Sequence, residues 1–345
     1  MTYIESIKNS ELKEYFKLLS TNYPNFIDKY IDTKEMQRLN GIGQFCGCDY
    51  TKLHSCKYWY SRLDHSIACA LMTWHFTKNK EQTLGALFHD LGTPAFSHCI
   101  DYLLNDFINQ ESSERSIKEV ILSSKELMNY LNEDNIDIDS VADISKYTIV
   151  ENKKPKICVD RLEGVIGTGL VWCHFWEISN IKEIYDNITI LINEENEQEI
   201  GFNNVDIANK FFEGVFKYSM VLQQNEDKLT MQFIADTLKQ LIDSNIIKLD
   251  MLYNLSEQQV IEIIKSNDLP SEKWVMFENT NTLFRTEEEP KNKYYVSVDC
   301  KKRYVVPLVK HYNKTIRLND VSKSCENLLN EYLNYSDSKY AYIDL

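Results

Sequence analysis

The sequence predicts a mostly α fold with a small α/β segment at the carboxy terminus. Three observations carry that reading. Only ten glycines and six prolines punctuate 345 residues, too few for a many-turned sandwich or barrel. From residue 5 to about residue 270, apolar residues recur at three- and four-residue spacing, the period of an amphipathic helix. Two β-rich runs, in KYYVSVDCKKRYVVPLV, come only near the end.

The elements follow in order. Leu12, Tyr15, Phe16 and Leu19 form the apolar stripe of a first helix. A second starts at about Arg62 and carries His65. A third spans Gln82 to Asp90, turns Leu84, Leu87 and Phe88 toward the core and stops at Gly92. Residues 134–156 hold Asp, Asn and Ser clusters and the stretch ENKKPK, which predict a loop. Phe233, Ile234, Leu238 and Leu241 mark a late helix. Ser256 and Gln259 resemble a capping box ahead of Val260, Ile261, Ile263 and Ile264. A polar stretch from Asn279 to Asn292 precedes the two β-rich runs, read as a hairpin turning at Asp299–Lys302. A soft boundary near 270 therefore separates a helical unit, 1–270, from a small α/β appendage, 271–345. No internal repeat or low-complexity linker interrupts either.

Hydrophobic residues make up 43% and aromatics 12% of the chain, enough to fill a sizeable core. The formal charge is -14, from 52 acidic and 38 basic residues. A field of that sign repels phosphate backbones and anionic membranes, so nucleic acid is not an expected partner. A locally basic pocket or a cation could still admit a small anion. No stretch approaches the roughly 18 apolar residues of a membrane helix, and the first residues lack the apolar run of a signal peptide. Nine cysteines without framework spacing suggest reduced thiols and a cytoplasmic location.

Four of the seven histidines fall within SRLDHSIACALMTWHFTKNKEQTLGALFHDLGTPAFSHCID. His89 and Asp90 are about 100° apart on a helix, but at a helix end the backbone can turn both onto one ion. A divalent cation needs about four to six donors, and imidazole with carboxylate suits zinc, iron, manganese or nickel. Asp160, set in the apolar run KICVDRLEGVIG, would be costly to bury without a compensating positive charge. It is the best fourth donor after His65, His89 and Asp90. Any one of these residues alone would more often be a solvated or hydrogen-bonded side chain; their combination and order carry the reading. His75 is about 280° around its helix from His65 and cannot share its face. His174, in VWCHFWEI, is expected to pack among aromatics. His54 and His311 have no assigned role.

His65, then His89-Asp90, then Asp160 resembles the pattern of the HD phosphohydrolase superfamily. IDTKEMQRLNGIGQF, RLDHS and LFHDLGTPAFSHCID resemble successive landmarks of its deoxynucleoside triphosphate triphosphohydrolase branch. SNIIKLDMLYNLSEQQVIEII and KKRYVVPLV extend the likeness along the chain. The resemblance implies a helical HD core over about 50–180 and hydrolysis of a nucleotide or related phosphoester. It implies one divalent transition-metal ion on His65, His89, Asp90 and Asp160, with magnesium a further option alongside substrate phosphates. Arg62 would neutralise phosphate charge, Arg161 would contact phosphate, Gln44 would contact the sugar, and His98 would act near the scissile phosphate, where an imidazole could protonate a leaving oxygen. A homo-oligomer is implied by resemblance alone.

Some positions depart from the branch. A second catalytic His-Glu pair is replaced by QESSERSIKEV, which keeps only Glu114. The usual sugar-holding Tyr and Asp are Gly164 and Thr168, and Gln224 stands near an expected histidine. The sequence therefore supports an altered or slow enzyme, with a regulatory nucleotide-binding protein as the alternative and a purely structural metal as a third reading.

Overall fold

The structure, a computed structural model, describes residues 2–109 and 116–344. It is mostly helical with two small sheets. The positions Ser112–Glu114 lie outside the described residues.

The helices that build the site are set by local signals. Helix α1 (Ser10–Leu19) buries Leu12, Tyr15, Phe16 and Leu19, the stripe expected of it. Helix α2 (Arg62–Thr77) begins at a capping box: the Ser61 hydroxyl accepts from the Asp64 N–H, and the Asp64 carboxylate accepts from the Ser61 N–H. This fixes the first turn and thereby the direction of Arg62 and His65. Arg62 through Thr73 are all buried, so α2 is a central helix, packed by α1, by α3 (Lys80–Phe88) and by α4 (Val159–Val171). Helix α3 starts and stops two residues earlier than expected. His89 is its C-cap and Asp90 opens the following turn, closed by the Thr93 N–H on the Asp90 carbonyl.

Beyond α4 the chain makes a hairpin that periodicity did not reveal: β1 (Ile188–Ile192) and β2 (Gln198–Phe202), paired antiparallel. Both strands are short, and the helical spacing on either side masks their alternation. Helices α5 (Val205–Val221) and α6 (Asn225–Asp243) follow, then α7 (Glu257–Lys265), whose capping box at Ser256 and Gln259 is formed. The loop expected over 134–156 contains one short helix, Ile138–Ala142.

The expected hairpin at Asp299–Lys302 does not form. β3 (Phe284–Thr286) and β4 (Tyr294–Val296) both pair with the terminal strand, whereas β5 (Leu308–His311) pairs parallel to β2 and antiparallel to β6 (Lys314–Arg317). The terminal strand β7 (Tyr340–Ile343) is thus the centre of the second sheet. The two β-rich runs belong to different sheets because each finds a better partner elsewhere. Val296, Ala341 and Ile343 close over Leu229 of α6, and Leu308 and Val309 continue the sheet begun at 188. The segment between β4 and β5 is left to run along a large cavity. Residues 271–345 accordingly contribute strands to both sheets. Among the described residues no helix is long and apolar enough to cross a membrane.

Candidate metal centre and cavity

Three of the four expected ligands meet at one point. His65, from the first turn of α2, and His89, from the end of α3, approach with their Nε2 atoms 3.1 Å apart. Asp160, in the first turn of α4, brings Oδ1 to 3.0 Å from His65 Nε2 and 3.6 Å from His89 Nε2. Asp90 lies at the rim, its Oδ2 3.6 Å from His89 Nε2. It is held from the other side: Arg62 Nη1 donates to both its oxygens, at 3.2 and 3.1 Å, and the Thr93 hydroxyl donates to Oδ1 at 3.0 Å.

The far side of each imidazole fixes its orientation. His89 Nδ1 donates to the Ala86 carbonyl at 2.7 Å, and His65 Nδ1 faces Glu163 Oε2. With both Nδ1 atoms committed as donors, both Nε2 atoms present lone pairs toward the Asp160 carboxylate. Two lone pairs and an anionic oxygen at hydrogen-bond distance repel unless a positive charge lies among them. Such a set fits a divalent cation with imidazole and carboxylate donors, and the partners behind the histidines are those that commonly orient metal ligands. A proton on the imidazoles can supply the same positive charge, and the titration of the cluster reflects it. Burial alone would raise Asp160, but hydrogen bonds and charge from His65 and His89 hold it well below the usual carboxylate range. Burial alone would lower His65, yet Cys69, Glu163 and Asp160 hold it well above its ordinary value.

Glu163 was not foreseen. It is fully buried, one turn beyond Asp160 on the same helix face. It accepts from the hydroxyls of Tyr15, at 2.9 Å, and Tyr60 as well as facing His65. Gly167 makes room for it: a Cβ there would stand 2.7 Å from Glu163 Oε1. Cys69 also borders the cluster, and its Sγ is 3.8 and 3.9 Å from the two nitrogens of His65. That sulfur and one donor atom each of His65, His89 and Asp160 all lie within 4.8 Å of one another, so Cys69 is a further candidate donor.

The centre opens into a cavity of about 1000 Å³. Although the chain is acidic, Arg62, Lys153, Lys154, Arg161, Lys301, Lys302 and Arg303 line it, against Asp90, Glu151, Asp160 and Asp227. Phe45, Trp172, Tyr218 and Tyr304 supply aromatic wall, and Gly164 and Thr168 lie on it as well. Gln44 also lines it, with a buried Oε1 that has no hydrogen-bond partner.

The remaining expected residues are placed unevenly. Arg62 is buried and committed to Asp90 and to Ser97, whose Oγ is 3.2 Å from Nε. Arg161 borders the cavity, but its hydrogen bonds go to Glu151, Asn152 and the Lys156 carbonyl, so it secures the 151–156 loop. His98 lies within the cavity wall with Nδ1 2.9 Å from Asp101 and Nε2 3.4 Å from Arg303. Burial, opposed by Asp101 and reinforced by Arg303 and Arg62, lowers it to about 4. It is neutral at pH 7, so a role as proton donor would require a bound anion to raise it. A proton–carbon NMR titration of the imidazoles is expected to give a His98 midpoint near 4; a midpoint near 6.5 would contradict this environment.

His174 does not pack among aromatics. It is exposed, at a left-handed turn with φ 54° that ends α4's run. His75 is partly open and rests against Phe76 and Tyr185, and His54 stacks edge-on to Trp172.

No family model matches the chain. It is 28% identical over 139 residues to the uncharacterized protein YdhJ of Bacillus subtilis (strain 168), a match covering 40% of this chain and 41% of that protein. The aligned part thus spans about two fifths of that relative. A hypothetical protein from Aquifex aeolicus has a similar fold, with a TM-score of 0.54 and 15% identity over 92% of this chain and 91% of that one. That likeness is one of fold alone.

Proposed function

We propose that this chain is a metal-dependent phosphohydrolase of the HD type, acting on a nucleotide or a related phosphoester. One observation carries the proposal: His65 Nε2, His89 Nε2 and Asp160 Oδ1 converge within 3.0–3.6 Å at a cavity lined by basic side chains in an otherwise acidic protein. A divalent ion held there supplies Lewis acidity toward a phosphoryl oxygen. The chain's own groups do the rest. Glu163 and the Ala86 carbonyl hold the two imidazoles in one tautomer, and Arg62 keeps Asp90 ionised beside them. The lysines and arginines of the rim attract and orient an anion. His98, neutral and tied to Asp101, offers a ring nitrogen that accepts a proton or hydrogen bond near the phosphate chain. The aromatic wall suits a flat base.

A second reading, a regulatory protein that binds a nucleotide with little turnover, is favoured by the engagement of Arg62 with Asp90 and of Arg161 with Glu151. The two readings separate in one assay. Protein loaded with manganese is incubated with nucleoside mono-, di- and triphosphates and cyclic nucleotides, and phosphate release is measured against an Asp160→Ala control. Release that disappears in the control is expected. Binding without release across the panel supports the regulatory reading, and release unchanged in Asp160→Ala defeats the proposal.

A further inference from the structure

We infer that Glu257 is a positioning residue for this cavity, a single buried carboxylate that clamps two loops forming part of its wall. Glu257 is the first residue of α7 and is fully buried. Its Oε1 accepts from the Phe96 N–H at 3.1 Å, and its Oε2 accepts from the Tyr50 hydroxyl at 2.9 Å. The backbone of Gly43 lies against the same carboxylate. These groups come from two separate loops. Gly43 precedes Gln44, whose unpartnered amide oxygen belongs to the cavity wall, and Phe96 precedes Ser97 and His98. The side chain space at Gly43 is already taken: a Cβ there would stand 3.2 Å from Glu257 Oε2 and 3.1 Å from both Asp49 Oδ2 and the Trp59 ring.

The 96–98 loop needs such a clamp. Phe96 and Ser97 are consecutive non-glycine residues with positive φ, 64° and 47°, a strained conformation that persists only when its surroundings impose it. The Phe96 N–H is held by Glu257, and the preceding Ala95 N–H by the Leu252 carbonyl at 2.8 Å. In that conformation Ser97 Oγ meets Arg62 Nε, and Arg62 in turn holds Asp90. His98 follows directly, aimed at the cavity. Glu257 therefore acts on the wall through Phe96 and never touches the cavity itself.

The electrostatics agree with the geometry. Burial raises Glu257 to about 8, against the two donors on its oxygens, which favour the ionised carboxylate. Asp49, half-buried, is the facing acid and adds to the rise; Tyr50 opposes it as a donor. Cys99 is the other titratable group that senses Glu257. The clamp tightens as pH rises through about 8, where Glu257 loses its proton.

The kinetic arm of the test rests on the phosphohydrolase reading, and a second arm does not. Full-length wild type and Glu257→Gln are compared in manganese affinity, in His98 imidazole titration, and in hydrolysis of whichever nucleotide the panel above shows to be turned over fastest. The amide keeps the shape but turns one donor toward another donor. Metal affinity is expected within about twofold of wild type, because no ligand or ligand-orienting group is touched. The His98 midpoint is expected to move by about one pH unit or more. Turnover is expected to fall about tenfold or more with KM within about twofold, and its rise through pH 8 to disappear. Glu257→Asp, which keeps the charge, is expected to restore part of each. An unchanged His98 midpoint and unchanged turnover would overturn the inference. If no nucleotide is hydrolysed by wild type, the phosphohydrolase reading fails while the His98 titration still decides the role of Glu257. If Glu257→Gln does not fold, Tyr50→Phe removes one donor, and an unchanged His98 midpoint in that variant overturns the inference equally.

Discussion

Arg62→Ala is expected to destabilise the metal-free protein by about 3–5 kcal/mol, the usual cost of stripping the partner from a buried charge. Asp90 is 7% exposed and Arg62 8%, so neither can turn to solvent when the other is lost. The Arg62 guanidinium, with the charges of His89 and His65, overcomes the effect of burial and holds Asp90 far below the ordinary carboxylate range. Removing it leaves one hydroxyl, from Thr93, on a buried anion. Denaturant unfolding of the chelated protein reads the loss directly. The same variant loaded with metal should lose less, because Asp90 borders the metal centre and a cation there supplies part of the missing charge. A loss below about 1 kcal/mol in the chelated protein, or an equal loss with and without metal, would contradict this account of the Arg62–Asp90 pair.

Glu163→Gln is expected to weaken metal binding by about 10–100-fold, the range found when a group orienting a metal ligand is altered. Tyr15, Tyr60 and His65 all aim donors at this one carboxylate. An amide in its place presents its own N–H to one of them. If that one is His65, the imidazole tautomer changes and its Nε2 becomes a donor, useless to a cation. If it is a tyrosine, a buried hydroxyl is left without an acceptor, and stability falls by about 1–3 kcal/mol. Calorimetric titration with manganese, with unfolding measured alongside, distinguishes the two. Affinity and stability both equal to wild type would show that Glu163 orients nothing.

The candidate site was more legible in the sequence than its surroundings, for a physical reason. A metal centre needs particular donor atoms, so His65, His89 and Asp160 are visible as residue types, and the structure brings their donor atoms together. Asp90 is nearby, but its first partner is Arg62. Glu163 carries the same chemical label as any surface glutamate. Its only signal is a spacing of three from Asp160 inside an apolar run, which becomes meaningful once α4 is known to pack on α2. Arg161 shows the converse. Its position beside Asp160 suggests a phosphate contact, yet a helix turns neighbouring side chains about 100° apart, and it is directed to the 151–156 loop.

The fold divides along similar lines. The helices were legible because a period near 3.6 repeats over several turns, as in the buried stripe of α1. The two late β-rich runs are visible, but β1 and β2 are not, and neither are the long-range pairings, because each strand is only three to five residues long. Leu308 pairs with Gly201, and Tyr294 with Ile343. Pairings of that range depend on which apolar faces the helices leave open. The clamp at Glu257 was hidden for the same reason: its donors, Tyr50 and Phe96, are both more than 150 residues away.

The central claim is that His65, His89 and Asp160 together hold a divalent ion at the base of the cavity. It is tested most directly by titrating chelator-stripped, full-length protein with manganese and with zinc, alongside Asp160→Ala. The expected result is one tightly bound ion per chain in the wild type and none at that affinity in Asp160→Ala, with both proteins folded. Equal stoichiometry and affinity in the two proteins, or no tight binding in the wild type, would contradict it.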